Sequence, residues 1–267
     1  MIISLLTDYG ADDDFVGVCH GVIASIAPDA RIIDLTHGIP RGAVRQGALV
    51  LRNTLPYMPA GIHVAVVDPQ VGTERRAVAL RCRDGRMLVG PDNGLLSLAW
   101  ERAEGVELAV DVTRSTHRLE PVSATFHGRD VFAPVAAYLA AGAQLAEAGE
   151  PLDPETLAQV QPPEPAGAED GRVGAHALAA DRFGNVVLDL SHETLAGTGL
   201  TLGGEVEIAV RDEFHLATYA VTFADVGQGE LLVYEDAYRM LAIAINQGDA
   251  RATLGLEPDD EVQLRAR

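Results

Sequence analysis

Short apolar runs alternate with helix-like segments through the first half of the chain, and each run has an acid at or near its end. "IISLLT" (2–7) ends at Asp8, "RIIDLTH" (31–37) contains Asp34, and "GIHVAVVD" (61–68) ends at Asp68. Between them lie "DDDFVGVCHGVIASIAP" and "GAVRQGALVLRNTLPYMP", which have helical spacing and stop at prolines. Asp12 to Asp14 open the first of these segments, where a helix dipole favours negative charge. A strand–helix alternation repeated three times predicts a doubly wound parallel sheet. In such sheets ligands bind beyond the carboxyl ends of the strands, which is where these acids fall.

The pattern continues less regularly. "AVALRC" and "RMLVG" around Arg83-Asp84-Gly85 predict a hairpin. "PDNGLLSLAWERA" predicts a short helix, "VELAVDVT" a strand, and "GRDVFAPVAAYLAAG" a helix closed by Gly142 despite Pro134. Then the composition changes. Five prolines fall between Pro151 and Pro165 among acidic residues, which marks a linker. Beyond it, short strand-like runs are separated by Gly, Asp and Asn, as in a small antiparallel β-barrel. The predicted architecture is an α/β class chain. It has an N-terminal α/β domain (1–145), a linker (146–171) and a C-terminal β-barrel domain (172–267).

Charge and cysteine usage narrow the function. The 267 residues carry 20 Lys and Arg against 39 Asp and Glu, a formal net charge of −19. A nucleic-acid binder needs a basic face, so that class is excluded. Cys19 and Cys82 lie in apolar stretches without CxxC spacing and read as reduced core residues, consistent with a cytoplasmic setting. The first apolar run is too short for a signal peptide, and no run approaches the length of a membrane span.

Candidate chemistry gathers in the loops. "VVDPQVGTERRAV" (66–78) brings Asp68 close to Arg75 and Arg76, and "TFHGRD" puts His127 just ahead of a helix. Neighbours in an extended segment face opposite sides, so one arginine of the pair meets Asp68 and the other reads as a solvated charge. Tyr9-Gly10 after Asp8 lets the backbone turn close to a ligand, and a carboxylate there suits a ribose diol. "DRFGN" (181–185) is a polar loop cluster. No GxGxxG, P-loop, GxSxG or HExxH motif is present. Three acids invite a metal-dependent phosphoesterase reading through Asp8, Asp34 and Asp68. The spacing fits no mononuclear ligand set, and the arginines beside Asp68 compete with a cation.

Taken in order, "LLTDYG", "IIDLTHGI", "VVDPQVGT", "GPDNGLLS", "TFHGRDVFAPVAA" and "DRFGN" resemble the S-adenosylmethionine hydroxide adenosyltransferase family, which is related to the fluorinase and chlorinase. The resemblance implies an α/β domain followed by a β-barrel, and hydrolysis of S-adenosylmethionine (SAM) to adenosine and L-methionine without a metal or redox cofactor. It implies a homotrimer with active sites between subunits. It assigns the catalytic set to Asp68, Arg75 and His127, and makes Arg75 the arginine that faces Asp68. It gives Asp8 the ribose diol and Asp181 the methionine amino group. Phe183 and Asn185 line the adenine pocket, and Asp13 is a further candidate at the methionine end. The halogenating relatives carry a tyrosine at the position of Asp68, so the acid points to water as nucleophile. Two alternatives stay open: a halide-using adenosyltransferase and a non-catalytic SAM or adenosine sensor. The family's glycine after "VDP" is Gln70 here, and its Asn-Ser near the last barrel strands is Asp236-Ala237. Arg239 is a possible substitute there for holding the methionine carboxylate.

Overall fold

The computed structural model describes residues 1–161, 163, 168–169, 172–195, 198–211 and 213–267. It divides into two compact units, Met1–Gln161 and Pro162–Arg267.

The first unit is built on one seven-stranded sheet with helices on both faces. Its elements in chain order are β1 (Ile2–Thr7), α1 (Phe15–Ile26), β2 (Arg31–Thr36), α2 (Val44–Thr54), β3 (Ile62–Val66), β4 (Ala77–Cys82), β5 (Met87–Pro91), α3 (Ser97–Arg102), β6 (Val106–Asp111), α4 (Ala133–Ala140) and β7 (Glu150–Leu152). The strand order is β2-β1-β3-β5-β4-β6-β7. β2, β1, β3 and β5 run parallel, as the alternation predicts. From β5 onward the sheet is antiparallel, because the 83–85 turn folds β4 and β5 into a hairpin and β6 and β7 extend it. The sheet is therefore mixed.

The central strands are buried on both faces, which is why they read as continuous apolar runs. Their side chains alternate between two cores. Ile3, Leu5, Val64 and Val66 pack with Cys19 and Ile23 of α1 and with Val135 and Leu139 of α4. Leu6, Ala65 and Val67 pack with Leu51 of α2 and with Ala99 and Trp100 of α3. Each fully buried Leu or Ile contributes roughly 1.5–3 kcal/mol. A Cβ at Gly47 would stand 2.7 Å from Leu95 Cδ1, so α2 reaches this core only with glycine there. Both cysteines are buried and unpaired. Pro134 sits in the first turn of α4, where its missing N–H costs little, so the helix tolerates it.

Residues 146–161, which begin the proline-rich stretch, pack within the first unit. They supply β7 and a helical turn at Pro154–Thr156. Of the rest of that stretch, 162, 164–167 and 170–171 lie outside the described residues.

The second unit is a closed barrel. Its elements are β8 (Ala168–Glu169), β9 (Arg172–Ala180), β10 (Val186–Ser191), β11 (Glu205–Val210), β12 (Glu213–Tyr219), β13 (Leu231–Glu235), β14 (Met240–Ile245), α5 (Ala250–Leu254) and β15 (Glu261–Ala266). The seven strands β10-β14-β13-β12-β11-β15-β9 close through β9–β10 pairing, and β8 adds to β9. All neighbours are antiparallel except β12 and β13, which pair in parallel across the long 220–230 connection. Closure removes exposed strand edges. Asp249 caps α5 by accepting the Ala252 N–H at 2.8 Å.

Among the described residues no helix is long and apolar enough to cross a membrane.

Candidate active site

The order β2-β1-β3 contains a topological switch point: the chain leaves β1 toward one side and returns as β3 on the other. Ligand crevices form there. Thr7 is in register with Val66, so the loops after β1 and β3 emerge side by side. They carry Asp8 and Asp68.

Asp68 and Arg75 are joined across a tight loop. The Val71 N–H donates to the Asp68 carbonyl at 3.2 Å, and the Thr73 hydroxyl donates to the Gln70 carbonyl at 2.7 Å. The Arg75 N–H then meets Thr73 Oγ1 at 3.3 Å. This folds the chain back so that Arg75 Nε donates to Asp68 Oδ1 at 3.1 Å and Nη2 donates to Oδ2. The turn forms with Gln70 in the place of the family's glycine. The pair is sealed from solvent, with side-chain exposures of 3% for Arg75 and 5% for Asp68. The guanidinium also lies 5.5 Å from the Phe132 ring centroid.

His127 completes the set. Its Nδ1 is 3.1 Å from Arg75 Nη2. It stands at the mouth of a π-type turn, Gly128–Phe132, that runs into α4. Such turns recur at functional sites because they displace a side chain from the regular helical track. Burial lowers the His127 pKa from its ordinary value, and the Arg75 cation lowers it further. The ring is therefore neutral at about pH 7, with Nδ1 accepting from Arg75. Burial pushes the Asp68 carboxyl up, and the charge and hydrogen bonds of Arg75 oppose that rise. Two guanidinium N–H groups on its two oxygens hold it as the anion.

Arg76 faces the other way. Its Nε donates to Asp92 Oδ2 at 2.8 Å and its Nη2 to the Thr156 carbonyl at 2.6 Å. The expectation of a solvated charge is corrected, because Asp92 is only 4% exposed and Arg76 neutralises it.

Asp8 receives the Gly42 N–H on Oδ2 at 2.8 Å, a contact made possible by the positive φ of Gly42. Tyr9, Phe15 and Phe126 form an aromatic wall beside these groups. Tyr9 is 5.7 Å from Phe15 and 5.8 Å from Phe126, and Phe15 is 5.0 Å from Phe126. Burial pushes the Tyr9 phenol up, so it stays protonated. A Cβ at Gly128 would lie 2.2 Å from Tyr9 Oη, so the turn bearing His127 closes on Tyr9 only with glycine at 128. This wall is absent from the sequence reading. One signal could have found it: in a chain with 5% aromatic residues, three fall within or beside the motifs "DYG", "DDDF" and "TFHG".

Other expected residues lie elsewhere. Asp13 is exposed ahead of α1. Asp34 pairs with His20 and His37 rather than joining Asp8 and Asp68. Among the described residues those three acids form no metal-ligand group, so the phosphoesterase reading has no structural support.

In the second unit, Asp181, Phe183 and Asn185 share the β9–β10 turn. Asp181 Oδ1 accepts the N–H groups of Phe183 and Asn185 at 2.8 and 3.0 Å, and Oδ2 accepts Asn185 Nδ2 at 2.8 Å. These bonds give the loop a fixed shape. Phe183 stands out from it, 67% exposed, with the Arg182 guanidinium 5.4 Å from its ring centroid. Asp236 organises the β13–β14 turn by accepting the Tyr238 and Met240 N–H groups at 2.8 and 2.9 Å. Arg239 is a surface side chain, 84% exposed.

The description of the SAM hydroxide adenosyltransferase N-terminal domain matches residues 3–149, and that of the C-terminal domain matches residues 175–263. The chain is 48% identical to the (R)-S-adenosyl-L-methionine hydrolase of Salinispora tropica, over 99% of this chain and 97% of that one. It is 38% identical to the hydrolase of the same name from Thermus thermophilus, over 97% of each. The fluorinase of Actinopolyspora mzabensis is 27% identical over 92% of this chain and 90% of that one. Among solved structures, an uncharacterized conserved protein from Thermotoga maritima superposes with a TM-score of 0.90 at 34% identity, covering 99% of this chain and 100% of that one. Two domain matches in order and full-length relatives on both sides of the water–halide divide lead to one conclusion: the chain belongs to the SAM hydroxide adenosyltransferase family.

Proposed function

We propose that the protein hydrolyses S-adenosyl-L-methionine to adenosine and L-methionine at the Asp68–Arg75–His127 site. The observation that carries this reading is that Arg75 Nη2 contacts both Asp68 Oδ2 and His127 Nδ1. One cation thus stands between an anion and a neutral base.

The chemistry follows from those charges. A water oxygen attacks the ribose C5′ as the C5′–S bond breaks. The bonding pair stays on sulfur, which leaves as the neutral thioether of methionine, so the leaving group needs no acid. The water becomes hydroxide-like as it attacks, and Arg75 stabilises that charge with an N–H that it cannot lose. Asp68 has both oxygens engaged by Arg75. His127 is the proton acceptor: its one lone pair, on Nδ1, exchanges the contact with Arg75 Nη2 for the attacking water. Because burial and Arg75 keep its pKa low, His127 hands the proton on to solvent instead of keeping it. The net reaction converts SAM and water to adenosine, methionine and one proton.

The Asp68 carboxylate disfavours a halide at the same position, since two anions in a buried site repel. Asp8 holds the ribose diol, and Asp13 is assigned to the methionine end. We further propose a homotrimer, in which the 181–185 loop of a neighbouring subunit completes each site with Asp181, Phe183 and Asn185. No cofactor enters the reaction. The two reduced, buried thiols are consistent with a cytoplasmic enzyme.

The test is to incubate pure protein with SAM in water enriched in oxygen-18 and analyse the products by mass spectrometry. Adenosine labelled at its 5′ oxygen, together with unlabelled methionine, is the expected outcome. Intact SAM, or a 5′-halo-nucleoside when chloride or fluoride is added, contradicts the reading.

A further inference from the structure

Among the described residues, one group of three metal-ligating side chains stands apart from the Asp68–Arg75–His127 site: His20, Asp34 and His37. His20 comes from α1, Asp34 from β2, and His37 from the loop after β2. Asp34 Oδ1 is 2.9 Å from His20 Nε2 and 3.1 Å from His37 Nε2. All three donor atoms lie within 4.8 Å of one another. Around a tetrahedral zinc ion with bonds of about 2.0–2.1 Å, ligand atoms stand about 3.3 Å apart. The two distances from Asp34 Oδ1 lie within about half an ångström of that spacing.

His37 is the most informative member. Its Nδ1 is 2.9 Å from the Thr7 hydroxyl oxygen. Its Nε2 is buried and has no hydrogen-bond partner, so the approach to Asp34 is close but out of line for a hydrogen bond. A ring fixed by a hydrogen bond at one nitrogen and open at the other is how proteins orient a metal-binding histidine. His20 brings a second imidazole nitrogen to the same carboxylate oxygen. A hydrogen bond accounts for the His20 contact with Asp34, so it is the unbonded His37 Nε2 beside the same oxygen that a cation would satisfy.

We propose that His20, Asp34 and His37 bind a divalent transition-metal ion, zinc by donor type. Two imidazole nitrogens and one carboxylate oxygen suit zinc, whereas magnesium and calcium prefer all-oxygen shells. Asp34 is 40% exposed, so a water can fill the fourth position. The ion serves as a brace and takes no part in the reaction. The His37 carbonyl accepts the Gly10 N–H at 2.8 Å, and Thr7 Oγ1 accepts the Tyr9 N–H at 3.2 Å. Fixing His37 therefore fixes the 8–10 loop that carries Asp8.

The experiment is calorimetric titration of zinc chloride into the metal-stripped, full-length protein at about pH 7.5. One zinc per chain is expected. His20→Ala and Asp34→Asn should each weaken binding by at least about tenfold. His176→Ala, which removes another histidine–carboxylate pair (Nδ1 to Asp189 at 2.8 Å), should leave zinc binding unchanged. Circular dichroism checks that each variant is folded. Cobalt substitution supplies a second readout: the visible absorption of four-coordinate cobalt should appear in the wild type and vanish in Asp34→Asn. Absence of saturable zinc binding, or equal binding by wild type, His20→Ala and Asp34→Asn, overturns the site. None of these measurements depends on SAM turnover, so the zinc site and the hydrolase reading can fail separately.

Discussion

Arg75 and Arg76 are neighbours in the chain that serve opposite sides of their loop: Arg75 reaches Asp68 and His127, and Arg76 reaches Asp92 and Thr156. Their substitutions should separate cleanly. Arg76→Lys loses the fork that spans Asp92 and Thr156 and leaves the 4% exposed Asp92 poorly paired. Because Arg76 itself is one-third exposed, the cost should be moderate, about 1–2 kcal/mol in urea unfolding. The single-turnover rate of the folded variant should stay near wild type. Unchanged stability with a collapsed rate would reverse the two roles.

The pH profile follows from His127. The proposed base acts as the neutral ring, and its pKa lies below the ordinary 6.5 because burial and Arg75 both disfavour the imidazolium. Lowering the pH protonates it, so kcat should fall on the acid side with a midpoint below 6.5. A midpoint at or above the ordinary histidine value in a pH–rate series would remove His127 as the base.

A second histidine bears on stability. His63 is fully buried, with Nδ1 2.8 Å from the Ser4 hydroxyl, and burial lowers its pKa from 6.5 to about 4. Between those two values the unfolded chain binds a proton that the folded chain refuses. Stability is thus fully present above the unfolded pKa and is lost as pH falls toward the folded one. The loss should approach about 3 kcal/mol between pH 6.5 and 4, on top of other groups. Urea unfolding of wild type and His63→Leu across that range checks it. An identical pH slope in both proteins would show that His63 does not titrate as described.

Gly128 packs directly against the Tyr9 ring and hydroxyl. In Gly128→Ala the new methyl meets Tyr9 Oη at 2.2 Å, and either the aromatic wall or the turn bearing His127 must move. Overpacking of this kind costs roughly 1–3 kcal/mol, so kcat/KM should fall about tenfold or more. Adding Tyr9→Phe removes the offending oxygen and should recover part of the loss. Steady-state kinetics of the single and double variants decide the matter, and absence of any rescue would place the defect elsewhere.

Much of this arrangement is legible in the chain itself. The apolar runs ending at Asp8 and Asp68 are central strands of a sheet covered on both faces, so burial writes them as nearly continuous hydrophobic stretches, with the bonded pair Ser4 and His63 buried among them. Arg75 and His127 stand in loops with distinctive neighbours, and the structure brings both to Asp68. What stayed hidden depends on partners remote in sequence. Arg76 meets Asp92 sixteen positions away, and nothing in "ERRAV" distinguishes that ion pair from a solvated charge. The parallel pairing of β12 with β13 depends on the path of the 220–230 connection, whose Gly227 and Gly229 mark a turn without giving its direction. The convergence of His20, Asp34 and His37 comes from the packing of α1 beside β2, and a lone histidine in a helix gives no sign of it.

The proposed hydrolysis depends on Arg75 as the group that stabilises the attacking water, and its substitution by lysine tests that most directly. Arg75→Lys keeps the charge and loses the planar fork that joins Asp68 to His127. SAM should still bind, because that interaction acts mainly in the transition state. The measurement is single-turnover hydrolysis at saturating SAM. The expected rate is about 10²–10³ below wild type with little change in SAM affinity. Hydrolysis at the wild-type rate would contradict it.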